Sequence, residues 1–259
     1  VAIEFRHFDH HLTHAAFAAY GSPFEDAACA VIDSYGESGS LAFFEYEKGR
    51  ITPLYQSKGP QSLGFFYMKL TELCGFDWMA GEEWKVMGLA SYGKTNPELL
   101  ARFRRLIRVE GFNLHHDRRT FFSELRALER FRRPIDAPPE TVADLAHTGQ
   151  QFFMETVNQL LAAFRVKGVS GNLVLGGGCA LNSVTNGQLL QNTPFDALHI
   201  PSAPADDGTA LGAALLAFHR DHPGAPTRRE VLSPYLGSSI NSASLDRFAR
   251  YCGLHVEEL

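Results

Sequence analysis

The sequence predicts a layered α/β fold whose ligands bind at the ends of strands. Three features lead to this prediction: three short apolar segments separated by turns, an apolar run that breaks into three glycines, and an acidic turn that precedes a helix of small residues. In open α/β sheets, ligands bind at the carboxyl ends of strands. The glycine turn and the acidic turn are therefore candidate binding sites.

The first element is a helix in the segment FRHFDHHLTHAAFAAYGSPF, at residues 5–24. Its alanines favour a helix, and the Gly-Ser-Pro sequence ends it. Side chains four residues apart project from one helix face, so His10 and His14 could hold one metal ion, and so could His7 and His11. Spacing does not choose between the pairs, and a histidine cluster on a helix is more often a polar surface or a satisfied core group. The sequence has no HExxH here, which argues against a zinc protease.

The predicted meander covers residues 27–33, 41–46 and 51–56, because the intervening sequences GESGS and EKGR are typical of short turns. Asp33, at the end of the first strand, could present a carboxylate to a metal ion or a ribose. More often such an aspartate only caps a turn. Helical spacing of apolar residues then predicts a helix in QSLGFFYMKLTELCGF, which ends at Gly75.

Two polar segments follow. In GEEWKVMGLASYGKTNPEL, residues Glu82, Glu83 and Lys85 indicate either a solvated helix start or a clamp for a ribose and a phosphate. Residues 98–133 are rich in arginine, which usually indicates a solvated helical surface, and we interpret them as an insertion. A long amphipathic helix is predicted at residues 141–164.

The stretch NLVLGGGCALN, residues 172–182, predicts a buried strand that leads through a tight turn into a helix. Backbone N–H groups at such a helix start favour anions, so a phosphate or a nucleotide is the expected ligand. A turn without a ligand is the alternative, since GxxxxGK[ST] is absent and Leu181 breaks the pattern GxGxxG. Later in the chain, Asp206 and Asp207 precede a helix that starts at Thr209. The default explanation for at least one of these aspartates is N-capping of that helix. The alternative is that Asp206 is a third metal ligand.

Composition narrows the class of protein. The chain has 259 residues, of which 45% are hydrophobic, and its net charge of -5 offers no broad basic surface for nucleic acid. Four cysteines lie far apart and never form CxxC, as in reduced thiols of a cytosolic protein. We find neither an apolar run long enough to cross a bilayer nor a signal peptide. We therefore expect a cytoplasmic protein that binds neither nucleic acid nor membranes.

Five motifs together resemble a known family. In this order, HHLTHAA, QSLGFFYMKLTELCGF, GEEWKVMGLASYG, LVLGGGCALNSVTNG and PADDGTALGAAL are similar to the O-carbamoyltransferases of the nodulation-protein-U and cephalosporin-carbamoyltransferase group. The resemblance covers nearly the whole chain. It implies an actin-like, sugar-kinase-like ATPase fold related to the tRNA threonylcarbamoyl-transferring proteins.

The resemblance also implies site residues. In that family an HxxxH pair and a later aspartate hold a single metal ion, usually iron. The matching positions are His10, His14 and Asp206. The residues that match the family's adenosine- and phosphate-binding parts are Gly177, Gly178, Asn182, Glu83 and Lys85. Two imidazoles and a carboxylate suit iron, zinc and manganese, and Fe(II) is the ion that we expect.

The implied chemistry has two steps. Carbamoyl phosphate, water and ATP give a carbamoyl adenylate with release of inorganic phosphate and pyrophosphate. A hydroxyl of a sugar or secondary metabolite then attacks the carbamoyl carbon and displaces AMP. A base must deprotonate that hydroxyl. His11 and Asp207 stand next to the expected metal ligands and are both candidates. A homodimer is a further partner that we consider.

We expect residues 1–232 to form the actin-like carbamoyltransferase domain without its first strands, because the chain begins a few residues before the HxxxH helix. Residues 233–259 are expected to begin a C-terminal YrdC-like domain, which starts near the motif PYLGSS at residues 234–239. Such a piece should fold but not complete the reaction alone. A non-catalytic nucleotide- and metal-binding module of the same fold is the alternative function, and a sugar or acetate kinase is a third.

Overall fold

The computed structural model describes residues 3–117, 119–225, 230, 231, 233–235, 237 and 241–253. The strands are β1 Asp26–Ile32, β2 Leu41–Glu47, β3 Arg50–Gln56, β4 Arg108–Glu110, β5 Asn113–His115, β6 Asn172–Gly176 and β7 Ala197–His199. The α-helices are α1 His10–Tyr20, α2 Leu63–Leu73, α3 Glu83–Ala90, α4 Pro97–Leu106, α5 Phe121–Leu128, α6 Ala143–Arg165, α7 Ser183–Asn186, α8 Leu189–Asn192, α9 Thr209–Asp221 and α10 Ser242–Cys252. Short 3₁₀ helices cover Trp78–Ala80, Glu129–Phe131, Pro139–Val142, Gly178–Leu181 and Asp206–Gly208.

The main sheet has the strand order β3-β2-β1-β6-β7, and β4 pairs with β5 in a separate hairpin. Strands β1, β2 and β3 form the predicted antiparallel meander. No strand end lies more than one residue from its predicted position. Strand β1 then pairs in parallel with β6, with Val31 opposite Gly176, and β6 pairs in parallel with β7. The predicted α/β class is confirmed, and a meander beside parallel strands is consistent with the actin-like fold that the resemblance implies.

Helices cover both faces of the sheet. Successive side chains of a strand point to opposite faces, so Ala28, Ala30 and Ile32 of β1 pack into a large core with α2, α3, α4 and α6. Their neighbours Cys29 and Val31 pack instead into a smaller core beneath α1. Burial on both faces explains why β1 is apolar along nearly its whole length.

Helix α1 begins at a side-chain cap and is almost wholly buried. The carboxylate of Asp9 accepts a hydrogen bond of 2.9 Å from the Leu12 N–H. Helix α9 packs closely against α1, because Gly212 has no side chain: a Cβ there would lie 1.9 Å from the carbonyl oxygen of Thr13. This close packing brings the acidic turn that precedes α9 to the histidines of α1.

The arginine-rich segment forms α4, the β4–β5 hairpin and α5. Several of its arginines are paired with carboxylates: Arg102 lies 2.9 Å and Arg105 2.6 Å from Glu124, and Arg104 lies 2.7 Å from Glu155. This pairing neutralises part of the segment's positive charge, as expected for a solvated helical surface.

Within the described part of the chain, every helix is either too short or too polar to cross a membrane. The predicted domain boundary between residues 232 and 233 lies where the description is incomplete. Leu232 and three positions of the PYLGSS motif, Leu236, Ser238 and Ser239, are outside the described residues. The division at this boundary stays a prediction.

Candidate metal centre and adjoining cavity

Four side chains converge at the carboxyl edge of the sheet. His10 and His14 project from α1, Asp33 follows β1, and Asp206 lies in the turn before α9. One ligand atom from each of the four lies within 4.8 Å of the others. The structure therefore brings together the three predicted metal ligands and adds Asp33 to them.

The five distances that involve a histidine nitrogen are short and similar. Nε2 of His10 lies 3.1 Å from Nε2 of His14, 3.1 Å from Oδ2 of Asp33 and 3.3 Å from Oδ1 of Asp206. Nε2 of His14 lies 3.5 Å from Oδ2 of Asp33 and 3.3 Å from Oδ1 of Asp206. One nitrogen of each histidine is thus directed at the same small space as one oxygen of each aspartate.

This geometry fits a metal ion. Ligands with bonds of about 2.1 Å stand roughly 3.4 Å apart in a tetrahedral site, and the observed distances bracket that value. The donors are also of the right kind, since imidazole nitrogens and carboxylate oxygens bind iron, zinc and manganese. Three of the four side chains are largely buried, whereas that of Asp206 is 77% exposed, so one side of the centre faces solvent.

Asp33 is held in its ionised form. Burial opposes ionisation, but hydrogen bonds from His14 and from the backbone N–H groups of Gly178 and Ser34 outweigh it, so the pKa of Asp33 lies well below its ordinary value. The two oxygens of Asp33 make different contacts. Oδ1 accepts hydrogen bonds from the N–H of Gly178 at 2.9 Å and from the N–H of Ser34 at 2.8 Å, while Oδ2 faces the histidines. A fixed, negatively charged oxygen is thereby presented to the centre.

The glycine turn differs from the expected phosphate cradle. The N–H of Gly177 donates to the carbonyl oxygen of Pro204 at 2.8 Å, and that of Gly178 donates to Asp33. Both donors are therefore used within the protein. Beyond the turn lie a 3₁₀ helix and α7, which has only four residues, so the turn lacks the long helix whose dipole would favour an anion.

The two glycines connect the two acidic loops instead. Gly177 ties the loop of Pro204, which continues to Asp206, to the end of β6, and Gly178 ties Asp33 to the same point. Gly177 has φ of +86°, and a Cβ there would lie 2.4 Å from the carbonyl oxygen of Ile32. A glycine is needed at this position for both reasons.

A cavity of about 230 Å³ adjoins the centre. Of the predicted nucleotide-binding residues, Gly178, Asn182 and Glu83 line it, and Asp33 belongs to both the cavity and the metal centre. Its apolar lining includes Tyr67, Met68, Met87, Phe153 and Leu181.

Two of the predicted nucleotide contacts are placed elsewhere. Among the described residues, Gly177 and Lys85 lie outside the set that lines the cavity. The ammonium group of Lys85 pairs with Glu82 and lies 5.6 Å from the ring centre of Phe76. Lys85 therefore has a structural environment that does not need a ligand.

Asn182 lines the cavity, but its amide is already bonded. It exchanges two hydrogen bonds with the amide of Gln150, at 2.9 and 3.0 Å, and its oxygen accepts from the N–H of Thr185 at the start of α7. Its side chain is 5% exposed. These contacts make Asn182 a helix cap that shapes the cavity.

The two candidate bases have opposite environments. His11 is fully buried, and among the described residues its two ring nitrogens have no hydrogen-bond partner. Burial lowers the pKa of His11, and its ring centre lies 5.7 Å from that of His10. Asp207, in contrast, is exposed beside Asp206. Of the two side chains, only that of Asp207 faces solvent.

This geometry corrects one sequence interpretation and favours one of the two alternatives left open for Asp33. The aspartates before α9 do not cap it: neither that helix nor the 3₁₀ helix Asp206–Gly208 has a side-chain cap. Asp33, for which the sequence left a metal or ribose contact open beside the commoner turn cap, joins the ligand cluster. Its strand is paired with the strand that ends in the glycine turn, which places Asp33 at the edge of the sheet where the ligands meet.

Comparisons with known proteins show the family of the chain. Residues 3–215 match the family described as Carbamoyltransferase N-terminus. The chain is 32% identical to an uncharacterised protein of Synechocystis sp. over 82% of its length, 30% identical to the nodulation protein NolNO of Sinorhizobium fredii over 90%, and 32% identical to the nodulation protein NolO of Bradyrhizobium diazoefficiens over 86%.

These alignments cover 36%, 34% and 40% of the respective relatives, so the chain spans between a third and two fifths of their length. The match to the family covers most of the chain, and the resemblance stated from the five motifs is confirmed. This chain belongs to the carbamoyltransferase N-terminal family.

Proposed function

We propose that this chain is the metal- and nucleotide-binding part of an O-carbamoyltransferase. The enzyme transfers a carbamoyl group from carbamoyl phosphate, through a carbamoyl adenylate made with ATP, to a hydroxyl of a sugar or secondary metabolite. The observation that carries the proposal is the position of Asp33, which is at once a member of the ligand cluster and a wall of the cavity. A nucleotide in the cavity would lie directly beside an ion in the cluster.

His10, His14, Asp33 and Asp206 would hold one divalent ion, and we propose Fe(II) because the family resemblance implies iron. When bound, the ion would supply positive charge to stabilise negative charge that develops on the carbamoyl or phosphate oxygens. The open side at Asp206 is the direction from which a substrate can approach.

We propose that the cavity binds the adenosine part of ATP. Its volume of about 230 Å³ is below the roughly 300–1,000 Å³ typical of complete ligand sites. The carboxylates of Glu83 and Asp33 would repel phosphates but can accept hydrogen bonds from ribose hydroxyls. The apolar side chains of Met68, Met87 and Leu181 offer a surface for adenine.

We propose Asp207 as the group that accepts the proton of the acceptor hydroxyl. It is exposed next to the solvent-facing ligand Asp206, so an incoming hydroxyl can reach it. His11 is fully enclosed and would have to leave its site to take part. For this reason we assign His11 a packing role beneath the turn at Gly36, whose Cβ position lies 2.8 Å from the His11 ring.

The test measures the first half of the reaction, which needs no acceptor. In the natural full-length protein, carbamoyl-phosphate-dependent exchange of labelled pyrophosphate into ATP reports formation of the adenylate. We expect exchange in the wild type and in His222→Ala, an exposed control, and its loss in His10→Ala.

Binding of ATP and metal without any exchange in the wild-type protein would favour the non-catalytic module. Exchange that is unaltered in His10→Ala would contradict the proposed role of the ligand cluster. Transfer of labelled carbamoyl groups to a panel of hydroxyl-bearing acceptors would then identify the substrate.

A further inference from the structure

A second, larger cavity lies on the other side of α2. It measures about 530 Å³ and is enclosed by α2, α4, α5 and the segment before α2. Gly64, Tyr67 and Met68 of α2 face the adenosine cavity, whereas Phe66 and Leu70 face this one. The two cavities are thus separated by the body of the helix.

The walls of the larger cavity are apolar and rich in aromatic rings. The lining residues that matter most are Phe65, Phe66, Phe103, Leu106, Phe122 and Leu125. The rings of Phe66 and Phe103 meet edge to face with centres 5.1 Å apart, which gives the cavity a rigid floor. Phe65 and Phe122 are 43% and 75% exposed and form its margin.

The ammonium group and the hydroxyl at the cavity are committed to the protein. Lys69 is the one permanently charged side chain among the described lining residues, and its ammonium group lies 3.0 Å from Glu72 and 2.6 Å from Glu129. The hydroxyl of Ser62 accepts from the N–H of Phe65 at 3.0 Å and donates to the carbonyl oxygen of Asp33 at 3.3 Å. Because the charge of Lys69 is already neutralised by Glu72 and Glu129, the cavity offers no free counter-charge to an ionic ligand. We therefore expect it to favour uncharged molecules.

From the size, the lining and the neutralised rim, we propose that this cavity is a binding site for an uncharged, apolar small molecule. Its volume falls within the roughly 300–1,000 Å³ of small-molecule sites, which are mostly lined by apolar and aromatic side chains. Water within it would have few hydrogen-bond partners, whereas an apolar ligand would remove the exposed rings from water. The proposal does not depend on carbamoyl transfer.

The experiment titrates the protein with N-phenyl-1-naphthylamine, an uncharged apolar dye whose fluorescence rises on binding. We expect saturable binding at one site. Leu125→Trp, which fills the cavity from a partly exposed position, should weaken binding at least tenfold, and Phe122→Glu, which adds a charge at the margin, should do the same. Val166→Trp, at a position that is 85% exposed and lines neither cavity, should leave the affinity unchanged.

Three results would overturn the proposal. The first is binding that does not saturate, and the second is an unchanged affinity in either substituted cavity variant that retains the wild-type circular dichroism spectrum. The third is displacement of the dye by ATP, since this would place the dye in the adenosine cavity. Because Phe122 is mostly exposed, Phe122→Glu decides the question if Leu125→Trp does not fold.

Discussion

The backbone N–H of Gly178 donates a 2.9 Å hydrogen bond to Oδ1 of Asp33, a residue 145 positions earlier in the chain. The other oxygen of Asp33 lies 3.1 Å from Nε2 of His10. The glycine turn therefore acts on the ligand cluster by orienting a carboxylate. This arrangement assigns the two oxygens of Asp33 different tasks, which substitutions can separate.

Asp33→Asn should retain the fold and lose metal affinity. The amide oxygen can still accept from Gly178 and Ser34, but a neutral NH₂ group replaces the oxygen that faces the histidines. Loss of a ligand should weaken metal binding by more than the roughly 10–100-fold that loss of an outer-shell partner costs. Competition with a chelator of known affinity measures this change.

Asp33→Ala should in addition destabilise the protein, because it leaves the N–H of Gly178 without its acceptor. An unsatisfied buried donor costs about 1–3 kcal/mol. Urea denaturation of the metal-free protein compares the two variants. Equal free energies of unfolding for Asp33→Ala and Asp33→Asn would contradict the separate structural role of Oδ1.

Gly177→Ala should destabilise the protein more than Gly168→Ala. Both glycines have positive φ, +86° and +80°, so alanine is strained at both positions, and more so at Gly177, whose ψ of 163° belongs to a region essentially confined to glycine. Only at Gly177 does the added Cβ meet another atom, the carbonyl oxygen of Ile32 at 2.4 Å; at Gly168 it meets open space among the described residues. Equal losses in urea denaturation would show that the close contact is unimportant.

Glu83→Ala should weaken ATP binding, and Lys85→Ala should not. Glu83 lines the proposed adenosine cavity, whereas Lys85 is paired with Glu82. We expect roughly tenfold weaker binding for Glu83→Ala, the equivalent of one hydrogen bond to a charged group. Calorimetric titration with ATP and with adenosine checks this, and a larger effect at Lys85 would favour the original ribose and phosphate clamp.

His199 should make the fold sensitive to acid. It is 9% exposed, and burial lowers its pKa from the ordinary value of 6.5. Below pH 6.5 the unfolded chain takes up a proton at this residue while the folded protein does not, so the free energy of unfolding falls as the pH decreases, until the lowered pKa of the folded state is reached. The pH range in which His199 destabilises the fold therefore begins at about pH 6.5 and extends to lower pH.

Urea denaturation between pH 5 and pH 8, with a chelator present, measures this dependence. Replacing His199 by Gln should reduce the slope by at most about 1.4 kcal/mol per pH unit, the value for one proton. Buried His11 contributes with the same sign, so a residual slope is expected. An unchanged slope in His199→Gln would show that this imidazole is protonated alike in both states.

Local sequence patterns were sufficient to predict most of the elements. Alternating and helical spacing of apolar residues depends on near neighbours alone, so the meander, α1, α2 and α6 could be placed within a few residues. The five motifs were sufficient to recognise the family. The HxxxH spacing correctly placed two imidazoles on one helix face.

Which imidazoles share the centre was decided by the fold. Helix α1 begins at His10, so His7 precedes it and is exposed, while His11 faces the core. Helical spacing sets the angle between side chains but not the direction of the helix face, which depends on what packs against it. The pair His10 and His14 is the one that faces the loops of Asp33 and Asp206.

The tertiary structure alone decided the role of Asp33 and of the two glycines. Asp33 meets Gly178 because β1 and β6 pair in parallel, which places both strand ends at the same edge of the sheet. The pairing of β1 with β6 depends on contacts between residues far apart in the chain, and it cannot be predicted from the residue types next to Asp33. Sequence by itself therefore determined the elements and the chemistry available to the protein, whereas strand pairing determined which of its polar groups meet.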